Sequence, residues 1–147
     1  MATATLPAAA PPSMSPAGYG AAPLPARRPD ATREHLVSVG VLGTPVSLYD
    51  EARAVEYLEK VSDTLPVYRG ARGLVHPAFY LDQANRALDL NVKMGPWIHV
   101  GSVIRHLGPA HVGETIETRG RVRALSEKKG REIVELDVLV LAGEEER

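Results

Sequence analysis

A chain of 147 residues with 44% hydrophobic content and a net charge of −1 has material for one core and no charge excess to draw it to nucleic acid or to a membrane surface. Aromatic residues at 5% are too few for a base-stacking platform, and the absence of cysteine excludes disulfides and thiolate chemistry. The histidines (His35, His76, His99, His106 and His111) show no H-x3-H pairing on a helix, which argues against zinc; no cofactor is expected.

Residues 1 to about 33 are Ala/Pro-rich and hold seven of the twelve prolines with few bulky apolar residues, too few to offset the entropy of ordering them. This segment is expected to be a disordered tail. It lacks a basic region followed by an apolar stretch, so no secretory signal is expected. Arg27-Arg28 is followed by Pro29 and Asp30, which weakens a twin-arginine reading. No run approaches the roughly 18 apolar residues of a membrane helix. The expected compartment is the cytoplasm.

The folded part is expected from residue 34 to residue 147. "LVSVGVLG" has the Val and Gly content of a strand. "SLYDEARAVEYLEKVSD" reads as a helix: Ser47 and Asp50 have capping-box spacing, and Val55, Leu58 and Val61 follow the helical period. A loop with Pro66, Gly70 and Gly73 follows. The next helix is predicted over 77–91, with Pro77 in its first turn, where no intrahelical N–H bond is needed, and Leu81, Ala84 and Leu88 as its apolar stripe. Gly95-Pro96 closes it. "WIHVGSVIRHL" reads as a strand. "ETIETRGRVRAL" alternates, with Ile116, Thr118, Val122 and Ala124 on one side, and "REIVELDVLVLA" puts Val134, Leu136, Val138 and Val140 on one face. Ser126 to Gly130 is the turn between these last two strands. One long helix before a set of strands predicts an α+β domain with that helix packed on a curved antiparallel sheet.

Several motifs within this order carry a resemblance. Residues 62–68 read Ser-Asp-Thr-Leu-Pro-Val-Tyr, His76-Pro77 opens the long helix, and Val112 to Ile116 forms a VGETI turn. Over about residues 35–142 the chain resembles the MaoC-like hydratase/dehydratase branch of the hotdog-fold superfamily, whose loop reads roughly G-D-x-N-P-x-H and whose helix opens with H-G. The resemblance implies a hotdog fold and substrates that are acyl groups held as thioesters of coenzyme A or of an acyl carrier protein. It also implies a second hotdog unit as partner, in a homodimer or a heterodimer, and one more strand at the C-terminal end, which is expected to be missing from this chain or supplied as an edge by a partner.

Asp63 and Pro66 match the pattern, whereas Tyr68 stands where the catalytic His would be, Leu65 replaces Asn, and Pro77 replaces Gly. Moving a proton near pH 7 suits histidine and not tyrosine, whose ordinary pKa is near 10. The Gly is expected to present a backbone N–H to the thioester carbonyl, and proline has none. The pattern resembles a unit that keeps the fold and shapes the acyl pocket while its partner keeps the chemistry. If the chain is itself active, Asp63 and His76 are the expected acid–base pair, with Tyr68, Pro77, Asp82 and Asn85 at the substrate.

Each position also has a plainer reading. Asp63 suits a helix end or turn, Tyr68 a loop aromatic covering the core, and His76 a helix cap. Asp82 suits a solvated helix face. The alternative enzyme is a hotdog thioesterase using Asp82 or His76, with Asn85 beside Asp82 on the helix.

Overall fold

Two long strands near the C-terminal end set the frame on which the helices pack. The computed structural model describes residues 14–143, and residues 1–13 and 144–147 lie outside the described part. Strand β2 (Thr115–Lys128) and strand β3 (Arg131–Gly143) form an antiparallel hairpin from Thr115↔Gly143 to Lys128↔Arg131. Its two-residue turn is Lys129-Gly130, both at positive φ (54° and 72°), the left-handed turn whose twist matches that of the flanking strands. Strand β1 (Val46–Leu48) pairs antiparallel with β2, so the sheet order is β1-β2-β3. With helices α1 (Arg33–Val39), α2 (Glu51–Val61) and α3 (Pro77–Asn91), the described part is α+β, as the sequence predicts. No helix among the described residues is long and apolar enough to cross a membrane.

The hairpin departs from the predicted alternation at one point. The ladder slips between Val122 and Ala124, where β2 carries one more residue than β3. Such a bulge exchanges the faces beyond it. Leu125, and not the predicted Ala124, therefore joins Val122, Val134 and Leu136 in the core.

"LVSVGVLG" is half helix and half sheet edge. Thr32 caps α1 by accepting the His35 N–H at 3.1 Å, Glu34 lies in the first turn, and Gly40 at φ +60° ends the helix. Capping outweighs the strand preference of Val37 and Val39. Beyond the glycine, Leu42 N–H bonds Gly120 C=O at 2.8 Å and Val122 N–H bonds Gly40 C=O at 3.1 Å, so residues 40–42 run along β2. Helix α2 starts one turn later than the Ser47 cap implies: Asp50 is the cap, accepting the Arg53 N–H at 2.8 Å, and Ser47 lies in β1.

Helix α3 has the predicted bounds but a different buried stripe. Phe79, Gln83, Ala87, Leu88 and Asn91 face inward, while Leu81 and Ala84 are half-buried. Two of the inward residues are polar, so an apolar period alone misplaces the face. Phe79 belongs to a core cluster with Tyr49, Tyr57, Val75, Val112 and Ile116; Leu88 belongs to a second with Leu36, Leu42 and Val92. The helix thus spans both halves of the core.

Asn91 is the polar anchor of that arrangement. Its amide nitrogen donates to Gly43 C=O at 2.8 Å and to Ala87 C=O at 2.7 Å, and its oxygen accepts the Gly43 N–H at 2.6 Å. A Cβ on Gly43 would lie 2.6 Å from Pro23 O, 2.7 Å from Leu24 Cα and 2.9 Å from Asn91 Oδ1, so no side chain fits there.

The segment read as a disordered tail lies partly within the described residues, and there it is tied to the body. Thr44 N–H bonds Ala22 C=O at 2.8 Å, Lys93 bridges Pro29 C=O and Ala31 N–H at 2.7 and 3.0 Å, and Arg28 reaches Asp89 at 3.2 Å. On the sheet face opposite α3, the Arg121 guanidinium sits 5.3 Å over the Tyr19 ring.

The predicted strand over 97–107 does not form. Trp97 to Leu107 have no regular structure and pair with no strand among the described residues, and Ile98, Val100 and Val103 are exposed. A strand-like pattern produces a strand only where a neighbouring edge accepts its bonds.

Two substitutions test this account in denaturant titrations. Asn91→Leu strands the buried Gly43 peptide and is expected to lower stability by about 2–4 kcal/mol. Thr118 is buried with a hydroxyl that finds no partner among the described residues, so Thr118→Val is expected to raise stability by about 1 kcal/mol.

Candidate functional site

The end of α2 builds the first half of the site. Ser62 adopts the left-handed conformation (φ 56°), its N–H bonds Glu59 C=O, and Asp63 N–H bonds Leu58 C=O at 3.0 Å. This is the Schellman ending of a helix. Asp63 Oδ1 then accepts the Leu65 N–H at 2.8 Å, an Asx turn, and its carbonyl accepts from Arg69 at 3.2 Å. A 3-10 turn over Pro66–Tyr68 follows and carries the Tyr68 ring to 4.8 Å from the His76 ring. Gly73 makes that turn possible: a Cβ there would lie 2.7 Å from Tyr68 C and 2.8 Å from Arg69 N.

His76 builds the second half. It is the N-cap of α3, with Nδ1 accepting the Ala78 N–H at 3.2 Å. Its Nε2 lies 3.3 Å from Asp63 Oδ2. A nitrogen that accepts a backbone N–H carries no proton, so the two bonds together assign neutral His76 its proton on Nε2, donating to Asp63. The structure therefore brings Asp63, His76 and Tyr68 together, with both imidazole nitrogens engaged.

The start of α3 offers little to an incoming carbonyl. Pro77 has no N–H, Ala78 N–H is taken by His76 Nδ1, and Phe79 N–H is taken by His76 C=O at 2.9 Å. The donors that usually make a helix N-terminus an oxyanion site are absent or used.

A mostly apolar pocket of about 360 Å³ opens beside this arrangement, lined among others by Tyr68, Val75, Pro77, Tyr80, His106 and Ala110. Tyr68 and Pro77 thus face the pocket; Asp63 and His76 are not among its lining residues. Tyr80 and His106, whose rings are 5.6 Å apart, are pocket residues that the sequence reading passed over. The available signal was the Gly108-Pro109 turn just before the VGETI segment, which folds the chain back over the start of α3.

Asp82 and Asn85 lie elsewhere on α3. Asp82 bonds Lys60 at 2.6 Å and joins α2 to α3. Asn85 Oδ1 lies 2.9 Å from His99 Nδ1, and not against Asp82. Tyr57, beside the Asp82 carboxylate, has its phenol pushed up to about 12, first by burial and then by that negative charge. Burial also raises Tyr49, against the opposing pull of the His76 backbone and Arg53. Burial raises Tyr80 as well. These phenols are neutral donors near pH 7.

With this geometry in place, comparison of the chain with protein-family models, with curated proteins and with solved structures gives no match.

Two measurements check the site. His76→Ala removes the helix cap and the Asp63 bond together and is expected to cost about 1–2 kcal/mol of stability, most of the cap part being restored in His76→Asn. The raised Tyr57 value makes a second, alkaline prediction. The unfolded phenol ionises near pH 10 while the folded one holds its proton to about 12, so unfolding is promoted as pH rises through that window. Tyr57→Phe is expected to flatten the fall in stability between pH 10 and 12 relative to the unmodified chain.

Proposed function

We propose that this chain is a MaoC-like hotdog subunit that binds acyl thioesters of coenzyme A or of an acyl carrier protein, and shapes the acyl pocket for a second hotdog chain that performs dehydration or hydration. On its own it is a weak 3-hydroxyacyl-thioester dehydratase or enoyl hydratase at most. The long helix laid along an antiparallel hairpin supports the hotdog arrangement. The observation that carries the functional reading is an apolar pocket beside an Asp–His pair whose imidazole nitrogens are both already bonded.

The chemistry follows from that pairing. Removing a proton next to a thioester carbonyl requires a base with a free lone pair within reach of the substrate. His76 gives its Nδ1 lone pair to the Ala78 N–H and turns Nε2 toward Asp63. Stabilising the resulting enolate requires donors at the carbonyl oxygen, and the α3 terminus has none free among its first three residues. What remains is an apolar cleft of a size that suits an acyl chain. The thioesterase alternative asks Asp82 to act as a free carboxylate, yet Lys60 holds it outside the pocket lining.

Calorimetry with saturated and enoyl thioesters of coenzyme A, with spectroscopy of crotonyl-thioester hydration, tests the reading. Binding is expected without appreciable turnover, and Tyr68→Ala is expected to weaken binding by about tenfold, the usual consequence of removing an aromatic contact. Tyr68→His with Pro77→Gly is expected to raise hydration by at least about tenfold, since each lost group typically contributes about 10²-fold or more. Robust hydration by the unmodified chain alone would overturn the subunit reading and direct attention to His106, the imidazole that does line the pocket.

A further inference from the structure

The pocket beside the Asp–His pair has one polar wall. Pro77 and Tyr80, on one face of the first turn of α3, line one side, and His106 to Ala110 line the other. The Tyr80 and His106 rings stand 5.6 Å apart, tilted by 57°. Most of the remaining lining is apolar, Leu74, Val75 and Leu107 among it. Tyr68 is the third polar residue there, and its ring leans on His76. Both groups of the polar wall have hydrogen-bonding capacity to spare. Burial keeps the Tyr80 phenol protonated, and the Ala110 backbone works against that rise, as an N–H directed at the phenol oxygen does. The phenol proton is thus the part left to offer. His76 and His99 each hold a side-chain partner, whereas the His106 imidazole has none among the described residues. A neutral imidazole carries one donor and one acceptor nitrogen.

We infer that Tyr80 and His106 make this pocket select acyl chains that carry a neutral oxygen, hydroxyl or ketone, toward the end away from the thioester. The inference rests on the subunit reading and adds to it the kind of acyl group. In that reading the reacting carbons beside the thioester belong to the partner's site, and in this chain the Asp63–His76 pair lies outside the pocket lining. What fills the pocket is then the chain beyond those carbons. A hydroxyl there accepts from the Tyr80 phenol and donates to an imidazole nitrogen; a ketone accepts from both side chains. A carboxylate is disfavoured, because no lysine or arginine is among the lining residues. An unsubstituted chain displaces water from both polar groups and gives them nothing in return, which costs affinity. A sealed site built this way rejects the analogue lacking the oxygen by about 10⁴-fold or more. Here His106 is exposed and keeps part of its hydration, so the expected discrimination is about tenfold.

Calorimetry with coenzyme A thioesters of equal chain length tests this: hexanoyl, ω-hydroxyhexanoyl, and hexanoyl with a ketone next to its end. The quantity read is the ratio of affinities, so a general loss of binding does not imitate the effect. The unmodified chain is expected to bind the better oxygenated ligand about tenfold more tightly than hexanoyl. That ratio is expected to fall to about threefold in Tyr80→Phe and in His106→Phe, and to about one in the double variant. His106→Gln, which keeps a donor and an acceptor, is expected to hold more of the preference than His106→Phe. Tyr80→Phe keeps the ring and His106 is exposed, so unchanged circular dichroism is expected in each variant. Equal binding of all three ligands overturns the inference and leaves the subunit reading standing. So does a preference that survives in the double variant. Failure to bind any of the three removes the subunit reading, and the inference with it.

Discussion

The Asn91 carboxamide and the Gly43 peptide complete each other's hydrogen bonds in a buried place, and much of the molecule is arranged around that exchange. Asn91 ends α3, Gly43 follows the residues that run along β2, and Pro23-Leu24 lies against the same glycine. One side chain therefore fixes the end of the long helix, the approach to β1 and the path of the N-terminal segment. The cost of leaving a buried peptide unpaired makes this junction hard to vary. The opposite end of α3 is held by His76, so both ends of the helix are positioned by polar side chains while its middle is held by packing.

That division explains what could be read in the sequence. The bounds of α3 follow from Pro77 at its start, and the β2–β3 hairpin follows from its alternation and its Lys129-Gly130 turn. These signals are local. The errors arise where a partner outside the segment decides. Leu36 and Val37 look like strand residues until Thr32 caps them into a helix. Trp97 to Leu107 look like a strand, yet no edge among the described residues accepts them. Gln83 and Asn91 look like solvent-facing residues of α3 and are buried; for Asn91 the distant Gly43 peptide supplies the partners that water would otherwise provide.

The candidate site shows the same limit. Asp63, Tyr68 and His76 are brought together as the motif suggested, but the sequence could not say which way the imidazole points. Its orientation follows from its place as the cap of α3: Nδ1 meets the second N–H of the helix, on Ala78. Pro77 removes the first donor and the imidazole takes up the next. Asp82 and Asn85, three apart on one helix, are separated by the partners each finds, Lys60 for one and His99 for the other.

The slip in the ladder between Val122 and Ala124 has a consequence for how this hairpin can change. Beyond it, Leu125 stands opposite Val134 on the core face, three residues from Val122, because β2 carries an unmatched residue. Deleting that residue would leave a smoother ladder with Leu125 still opposite Val134, and lengthening the tip by one residue on each strand likewise keeps opposed side chains opposed. The arm is thus editable at its turn in matched pairs and can shed its unmatched residue, whereas losing a second residue between Val122 and Leu125 would turn Leu125 toward solvent.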